Sequence, residues 1–462
     1  MFLDRSDLIQ PNPPLLGYGV CVFEVNGDGS DAFFVAGFGF PNRALAWDGA
    51  RLTDKTPGAL AIGERQSIGV AAADLNGDGR EELYVLNTDT FAGTKRWGDS
   101  LFAWRNGAWA DLFLDEENAP LVNRVAGRSV CAVDRFGQGR YGFVVANYGG
   151  PMRLYERTAE GKDQLAEQAE QAGINRTTGG RSLVSLPLIS LPGRMDLFAA
   201  NENSPNFLFR NRGNGTFEEI AEAMGVADPY ENGRGIAVLD ADQNGRFDLA
   251  VGNWEGENRL FLQSPMGGFM DAATPEMADP SRVRTVLAAD FDNDGYEEIF
   301  FHNIGQPNRL FGWGERSWVM LPIGEALEPF GLGTGAAVAD LDGDGRLELL
   351  LSHGESDAQP LSLYQTAPNQ HHWLRVRPLT ASGAPARGAV VTLTTAQRIQ
   401  RRAIDAGSGY LCQMEPVAHF GLGLVDQVEQ VEIIWPGGAR AVLDRPTVRQ
   451  SYTVPFPGGA SS

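Results

Sequence analysis

Four stretches of this chain repeat one pattern so closely that they limit what it can fold into. They read DLNGDGREELYVLN from Asp74, DADQNGRFDLAVGN from Asp240, DFDNDGYEEIFFHN from Asp290 and DLDGDGRLELLLSH from Asp340. Each is an acidic loop running into an apolar strand. Three degenerate copies fit the same frame: EVNGDGSDAFFVAG from Glu24, DRFGQGRYGFVVAN from Asp134 and LISLPGRMDLFAAN from Leu188. Successive loops start 50 to 60 residues apart, and a fixed period of this size marks a repeat architecture. A second strand follows each loop, as in NRLFLQ from Asn258 and LSLYQ from Leu361. Alternating apolar positions between Gly-rich turns supply about four short strands per unit, the make-up of a propeller blade.

The expected fold is therefore all-β, with a seven-bladed propeller over residues 1–370. The segment before the fifth loop, TFEEIAEAMGVADPYENGRGIAVLD, has the same plan as Met1 to Val25, with Phe2 standing where Phe217 stands. Residues 2–9 should then form the outer strand of the last blade, pair with LSLYQ and close the ring. After Gln370 the repeat stops. Runs such as HWLRVRPL, GAVVTLTT and VEIIWP, separated by Gly and Pro, predict a small β-sandwich-like domain over 371–455. Residues 456–462 are expected to be a flexible tail.

In the pattern D-x-D/N-x-D/N-G-x-x-D/E, side chains at positions 1, 3, 5 and 9 and a main-chain carbonyl at position 7 can converge on one cation. Calcium takes six to eight hard oxygen ligands, and a Gly turn lets so short a loop wrap around it. The four full copies offer Asp74, Asn76, Asp78 and Glu82; Asp240, Asp242, Asn244 and Asp248; Asp290, Asp292, Asp294 and Glu298; and Asp340, Asp342, Asp344 and Glu348. Arg80, Arg246, Tyr296 and Arg346 would give the position-7 carbonyls. All-oxygen ligation favours Ca²⁺ over transition metals, so about four calcium sites are expected. Glu24, Asn26 and Asp28 form a weaker fifth candidate because position 9 is Ala32. The Asp134 loop lacks carboxylates at positions 3, 5 and 9, and the Leu188 loop keeps only Asp196; neither is assigned a metal.

Charge supports this assignment. The chain carries a formal −21, and residues 1–370 hold 53 acidic against 29 basic residues. Such a segment repels phosphate backbones, which argues against nucleic acid, and calls for counter-ions, which divalent cations supply. Cys21, Cys131 and Cys412 are too few and scattered for a disulfide framework and read as buried small hydrophobes. No apolar run is long enough for a transmembrane helix. Met1 to Gln10 lacks the charged-then-apolar pattern of a signal peptide, which keeps a cytoplasmic location as the alternative to an extracellular one.

No G-x-S-x-G elbow, P-loop or H-E-x-x-H is present, and the Gly-rich GFGF from Gly37 and GLGTG from Gly331 read as blade turns. His302 and His353 read as strand-end hydrogen-bonding residues at the place held elsewhere by Asn87, Asn147, Asn201 and Asn253. His371, His372 and His419 with Glu415 form a weak transition-metal candidate, since adjacent strand residues point to opposite faces. Tyr410, Arg401, Arg402 and Asp405 are expected to brace the C-terminal sandwich, with Tyr410 packed beneath it.

The loops resemble the FG-GAP repeats of integrin α-subunit propellers, in which ions mainly brace the blades. Together with DAGSGYLCQMEPVAHFGLG from Asp405 and VEIIWPGG from Val431, the chain resembles the cartilage acidic protein family, which joins FG-GAP/VCBS repeats to a C-terminal ASPIC/UnbV domain. That resemblance implies an extracellular, calcium-binding, adhesion-type protein. It transfers no catalytic residue. The expected function is a non-enzymatic interaction module, calcium bracing the blades, that presents propeller loops to a protein or glycan partner. The alternative is an enzyme, or an enzyme-associated protein of a natural-product pathway of the enediyne kind, using the propeller mouth or the interdomain cleft. A third reading is a matrix protein that buffers calcium.

Overall fold

The computed structural model describes residues 1–159, 163–190 and 193–458. No described helix exceeds four residues. The repeating element is a four-stranded antiparallel sheet. In one copy Gly233–Leu239, Asp248–Asn253, Arg259–Gln263 and Phe269–Asp271 pair in chain order. The same order recurs from the inner strand Gly17–Glu24 to the inner strand Gly333–Ala339. Tyr148 pairs with Gly179 and stitches two neighbouring sheets into one. Each acidic loop is the turn between an inner strand and the next strand out, so the repeat frame fixes where the loops lie.

Apolar side chains from facing sheets fill the space between them. Phe2, Phe291 and Phe300 meet edge to face, with Phe2 at 5.0 Å from Phe291 and 6.1 Å from Phe300. Burying one such ring contributes about 1.5–3 kcal/mol, so the first residues of the chain hold its last sheet in place. Phe2–Asp4 pairs antiparallel with Ser362–Thr366, as Phe2 opposite Thr366 and Asp4 opposite Tyr364. The expected closing strand over residues 2–9 is shorter than read. Asp4 Oδ1 accepts from Ser6 N at 2.8 Å and turns the chain, after which Ile9 and Gln10 pair in parallel with Leu52 and Thr53 of the first sheet. The N-terminal segment thus ties the last sheet to the first.

Beyond the repeat, Ala418–Gly423 and Gln450–Val454 flank His372–Pro378 in one sheet. Val390–Thr394, Ile399–Ala403, Gln430–Ile434 and Arg440–Asp444 make a second. Leu374, Val376, Val391, Leu393, Ile433 and Trp435 share one buried core. Phe456, expected in a flexible tail, packs instead against the sandwich, its ring 5.8 Å from Trp435, because an exposed Phe gains by covering that apolar face. Residues 459–462 lie outside the described residues.

The segment around Asp405–Glu415 does not stay in this sandwich, as expected from sequence, but enters the axis of the repeat. Gly409 exchanges both backbone hydrogen bonds with Ile236, at 2.7 and 2.8 Å. Ala132 N donates to Ala406 O at 2.7 Å, Val70 N to Leu411 O at 3.3 Å and Val22 N to Gln413 O at 3.0 Å. Gln413 also makes a two-way side-chain bridge to Ala72, and Ser182 Oγ donates to Gly409 O. Ala336 N donates to Cys412 Sγ. Inner strands have a free edge, and unpaired edge groups need partners; this segment supplies them. Gly19 permits the approach, since a Cβ there would lie 2.2 Å from Leu411 O. Residues 405–415 thus form a plug among the inner strands; Cys412 lies within it, and Cys412, Cys21 and Cys131 are buried free thiols.

Candidate metal centres

All four full loops close by one scheme. The amide of the position-6 glycine donates to the position-1 carboxylate: Gly79 to Asp74, Gly245 to Asp240, Gly295 to Asp290 and Gly345 to Asp340, each at 2.9–3.0 Å. These glycines have φ between +81° and +97°, a region that only Gly enters freely. The position-5 side chain accepts from the position-7 amide, as Asp78 from Arg80, Asn244 from Arg246, Asp294 from Tyr296 and Asp344 from Arg346. The position-9 carboxylate accepts from the position-2 amide, as Glu82 from Leu75, Asp248 from Ala241, Glu298 from Phe291 and Glu348 from Leu341. These bonds aim the remaining oxygens at one another.

Three loops gather carboxylates closely. Asp240, Asp242 and Asp248 form one group, Asp290, Asp292 and Asp294 a second, and Asp340, Asp342, Asp344 and Glu348 a third; within each, ligand atoms lie within 4.8 Å. The Asp74 loop differs: Asn76 Nδ2 donates to Glu82 Oε1 at 2.6 Å, which leaves Asn76 Oδ1 buried without a donor. Asp290 Oδ1 is likewise buried and without a partner among the described residues. Burial, reinforced by neighbouring carboxylates, pushes the acids up. Asp240 rises to about 6 and Asp248 to about 7, and Glu82, Asp290, Glu298 and Glu348 go well above the carboxylate range. Crowded, desolvated carboxylates with orphaned acceptor oxygens are the donor set a hard divalent cation fits.

The degenerate loops keep the closure without the crowding. Gly29 N donates to Glu24 and Gly139 N to Asp134. In the weaker Glu24, Asn26, Asp28 loop, Ala32 is a buried strand residue that offers no oxygen. Asp196 is saturated by Ile189 N, Ser190 N, Ser190 Oγ and Asn211 N. Leu191 and Pro192 of that loop lie outside the described residues.

The C-terminal sandwich sits on these loops. Gly421 N donates to Asp290 Oδ2 at 2.9 Å, Ser382 Oγ to Asp74 Oδ2 at 2.7 Å, and Arg375 pairs with Asp340 at 2.9 Å. Arg402 pairs with Glu297 and Arg401 reaches Gly245 O, so both arginines brace the sandwich against the repeat rather than internally. Asp405 holds the base of the plug through Gly407 N, Ser408 Oγ and Met414 N. Tyr410 packs at the plug's tip and not beneath the sandwich, among Arg128, Arg181, Arg234 and Arg284, whose charges lower its pKa against the opposing effect of burial. Those arginines occupy the same offset in successive inner strands, a regularity visible in GRSV, GRSL, GRGI and VRTV. His371, His372 and His419 do not converge: they bond Asp292 O, Arg449 and Asn293 respectively, while Glu415 pairs with Arg375.

One cluster was not anticipated. Asn201, Asn253 and Asn303 each donate to the carbonyl four residues on, and His353 fills this strand-end place through Nδ1 and Pro360 O. His302 precedes Asn303 and so is one position out of that frame. It points instead toward His353 and Glu328, and the ligand atoms of the three lie within 4.8 Å.

The FG-GAP-like repeat model matches residues 25–85, 193–251 and 240–301, and the ASPIC and UnbV model matches 379–461. Cartilage acidic protein 1 of Xenopus tropicalis is 45% identical over 95% of this chain and 74% of its own length. The Homo sapiens protein of that name is 46% identical over 92% of this chain and 70% of its own. Among solved structures, the BP39L lectin from Burkholderia pseudomallei superposes with a TM-score of 0.50 at 14% identity, over 77% of this chain and 98% of the lectin. That likeness concerns the fold alone.

Proposed function

Because this chain belongs to the cartilage acidic protein family, we propose that it is a calcium-braced propeller module of the extracellular matrix that works by binding a protein or glycan partner. The observation that carries the calcium is the gathering of three or four carboxylates within 4.8 Å in three successive loops. The recurring sheets are read as seven blades over residues 1–370, closed by Phe2–Asp4, with an ASPIC/UnbV domain over 371–455. Calcium would be held by the side chains of Asp240, Asp242, Asn244 and Asp248, of Asp290, Asp292, Asp294 and Glu298, and of Asp340, Asp342, Asp344 and Glu348. Arg246, Tyr296 and Arg346 would add carbonyls. The Asp74 loop, with Asn76, Asp78, Arg80 and Glu82, joins them once the Asn76 amide turns its oxygen inward.

The cation would neutralise carboxylates that otherwise repel one another beneath the C-terminal domain. Since Gly421, Ser382 and Arg375 bond to the position-1 aspartates, bracing the loops also braces the domain seated on them. Substrate chemistry in the propeller bore finds the bore occupied by residues 405–415, which favours recognition at outer surfaces. Calorimetric titration of chelator-treated protein with calcium tests this function. Three to four sites are expected, and the absence of binding would overturn it.

A further inference from the structure

His302, Glu328 and His353 come from two sheets and the connection between them, far along the strands from the acidic loops. We propose that they bind a divalent transition cation of the zinc class, at a site separate from calcium and chemically unlike it. Imidazole nitrogens suit zinc, whereas the loops offer oxygens alone.

Hydrogen-bond polarity at His353 carries the argument. Its Nδ1 lies 2.8 Å from Pro360 O, an oxygen that can only accept, so Nδ1 holds a hydrogen. In the neutral ring Nε2 then presents a lone pair, and it faces Glu328 Oε2 at 3.0 Å. Two lone pairs at that separation require a cation or a second proton between them. A proton answers for His353 alone.

His302 answers which. It is fully buried, and although the Gly335 backbone lies beside the ring, neither ring nitrogen has a hydrogen bond of ordinary geometry among the described residues. Its Nε2 lies 3.9 Å from the same Glu328 Oε2. A buried polar group without a partner is costly, and a shared cation satisfies His302 and His353 together. Zinc bonds of about 2.0–2.1 Å set tetrahedral ligand separations of roughly 3.3 Å, between the 3.0 and 3.9 Å found here.

The surroundings hold the ligands in place. Tyr364 donates its hydroxyl to Glu328 Oε1 at 2.8 Å, while Oε2, which also takes a long 3.4 Å bond from Asn308 Nδ2, faces the two imidazoles. The Pro360 carbonyl fixes the His353 tautomer, the usual outer support of a metal-bound imidazole. Gly333 keeps the space open, since a Cβ there would lie 2.4 Å from His302 Nε2. Three protein ligands leave a fourth position for water or for a donor from a partner.

The test uses the full chain in saturating calcium, which blocks the oxygen loops, titrated calorimetrically with Zn²⁺ and followed by visible absorption with Co²⁺. One zinc equivalent and the absorption bands of low-coordinate cobalt are expected. His302→Phe and Glu328→Gln should each weaken zinc at least tenfold while the calcium stoichiometry, which also reports folding, stays unchanged. The proposal is overturned if the unaltered protein takes up neither metal, or if both variants bind zinc as it does; the cluster is then an imidazolium–carboxylate pair only.

Discussion

Arg387 donates through Nε to Glu81 Oε1 at 2.8 Å, and both side chains are out of water. Arg387 also reaches Val22 O, Asp405 O and Met414 O, so one guanidinium joins the C-terminal domain, the plug and two sheets of the repeat. Burial pushes the Glu81 carboxyl up even against the attraction of Arg387. The pair is therefore expensive to desolvate and fixes the docking geometry more than it adds stability.

Removing one partner strands the other. Arg387→Met should lower stability by roughly 3–5 kcal/mol, measured by denaturant unfolding, and Glu81→Leu added to it should recover part of the loss. Additive losses would contradict the pairing.

The plug predicts a steric effect at a distant glycine. Gly19→Val drives a side chain into Leu411 O and should cost about 1–3 kcal/mol or more, as overpacking does. Gly29→Val, where nothing lies within 4 Å of an added Cβ, keeps that space but carries the strain of its positive φ. Proteolysis within 405–415 should accelerate in Gly19→Val and not in Gly29→Val.

Loop closure and metal binding are separable by substitution. Asp290→Asn and Asp340→Asn should each remove one calcium from the calorimetric count. Asp134→Asn and Asp196→Asn should leave the count unchanged, because Asp196 is saturated by loop hydrogen bonds and Asp134, although its Oδ1 has no partner among the described residues, sits in a loop without further carboxylates at the ligand positions. Loss of a site from either of the last two would refute the assignment.

Calcium-free protein should respond to pH in the direction opposite to ordinary acid denaturation. Burial raises Asp240 to about 6 and Asp248 to about 7 from an ordinary 3.8. Between pH 4 and 7 the folded state then holds protons that the unfolded chain has released, so stability falls as pH rises through this window. Chelated protein should melt higher at pH 5 than at pH 7.5. Calcium, which replaces those protons, should reverse the order.

The sequence carried the repeat frame because each loop is local. Spacing alone placed Asp290, Asp292 and Asp294 together, and the likeness of Phe2 to Phe217 placed the first strand on the last sheet. The plug was illegible because residues 405–415 show no periodicity and their partners, such as Ile236 and Val22, lie far away in the chain. His302 was misread by one position: Asn303 keeps the strand-end place, and a one-residue offset in a strand sends a side chain to the other face. Glu328 belongs to a connection with no motif at all.

Thermal unfolding of chelator-treated protein, titrated with calcium and separately with magnesium, tests the calcium account most directly. A ligand held only by the native state stabilises it by about 2.7 kcal/mol per site at one hundred times its Kd. The melting temperature should climb steeply with calcium and far less with magnesium, whose smaller octahedral shell suits these loops poorly. A melting temperature indifferent to both ions would contradict the account and leave the acidic loops as solvated turns.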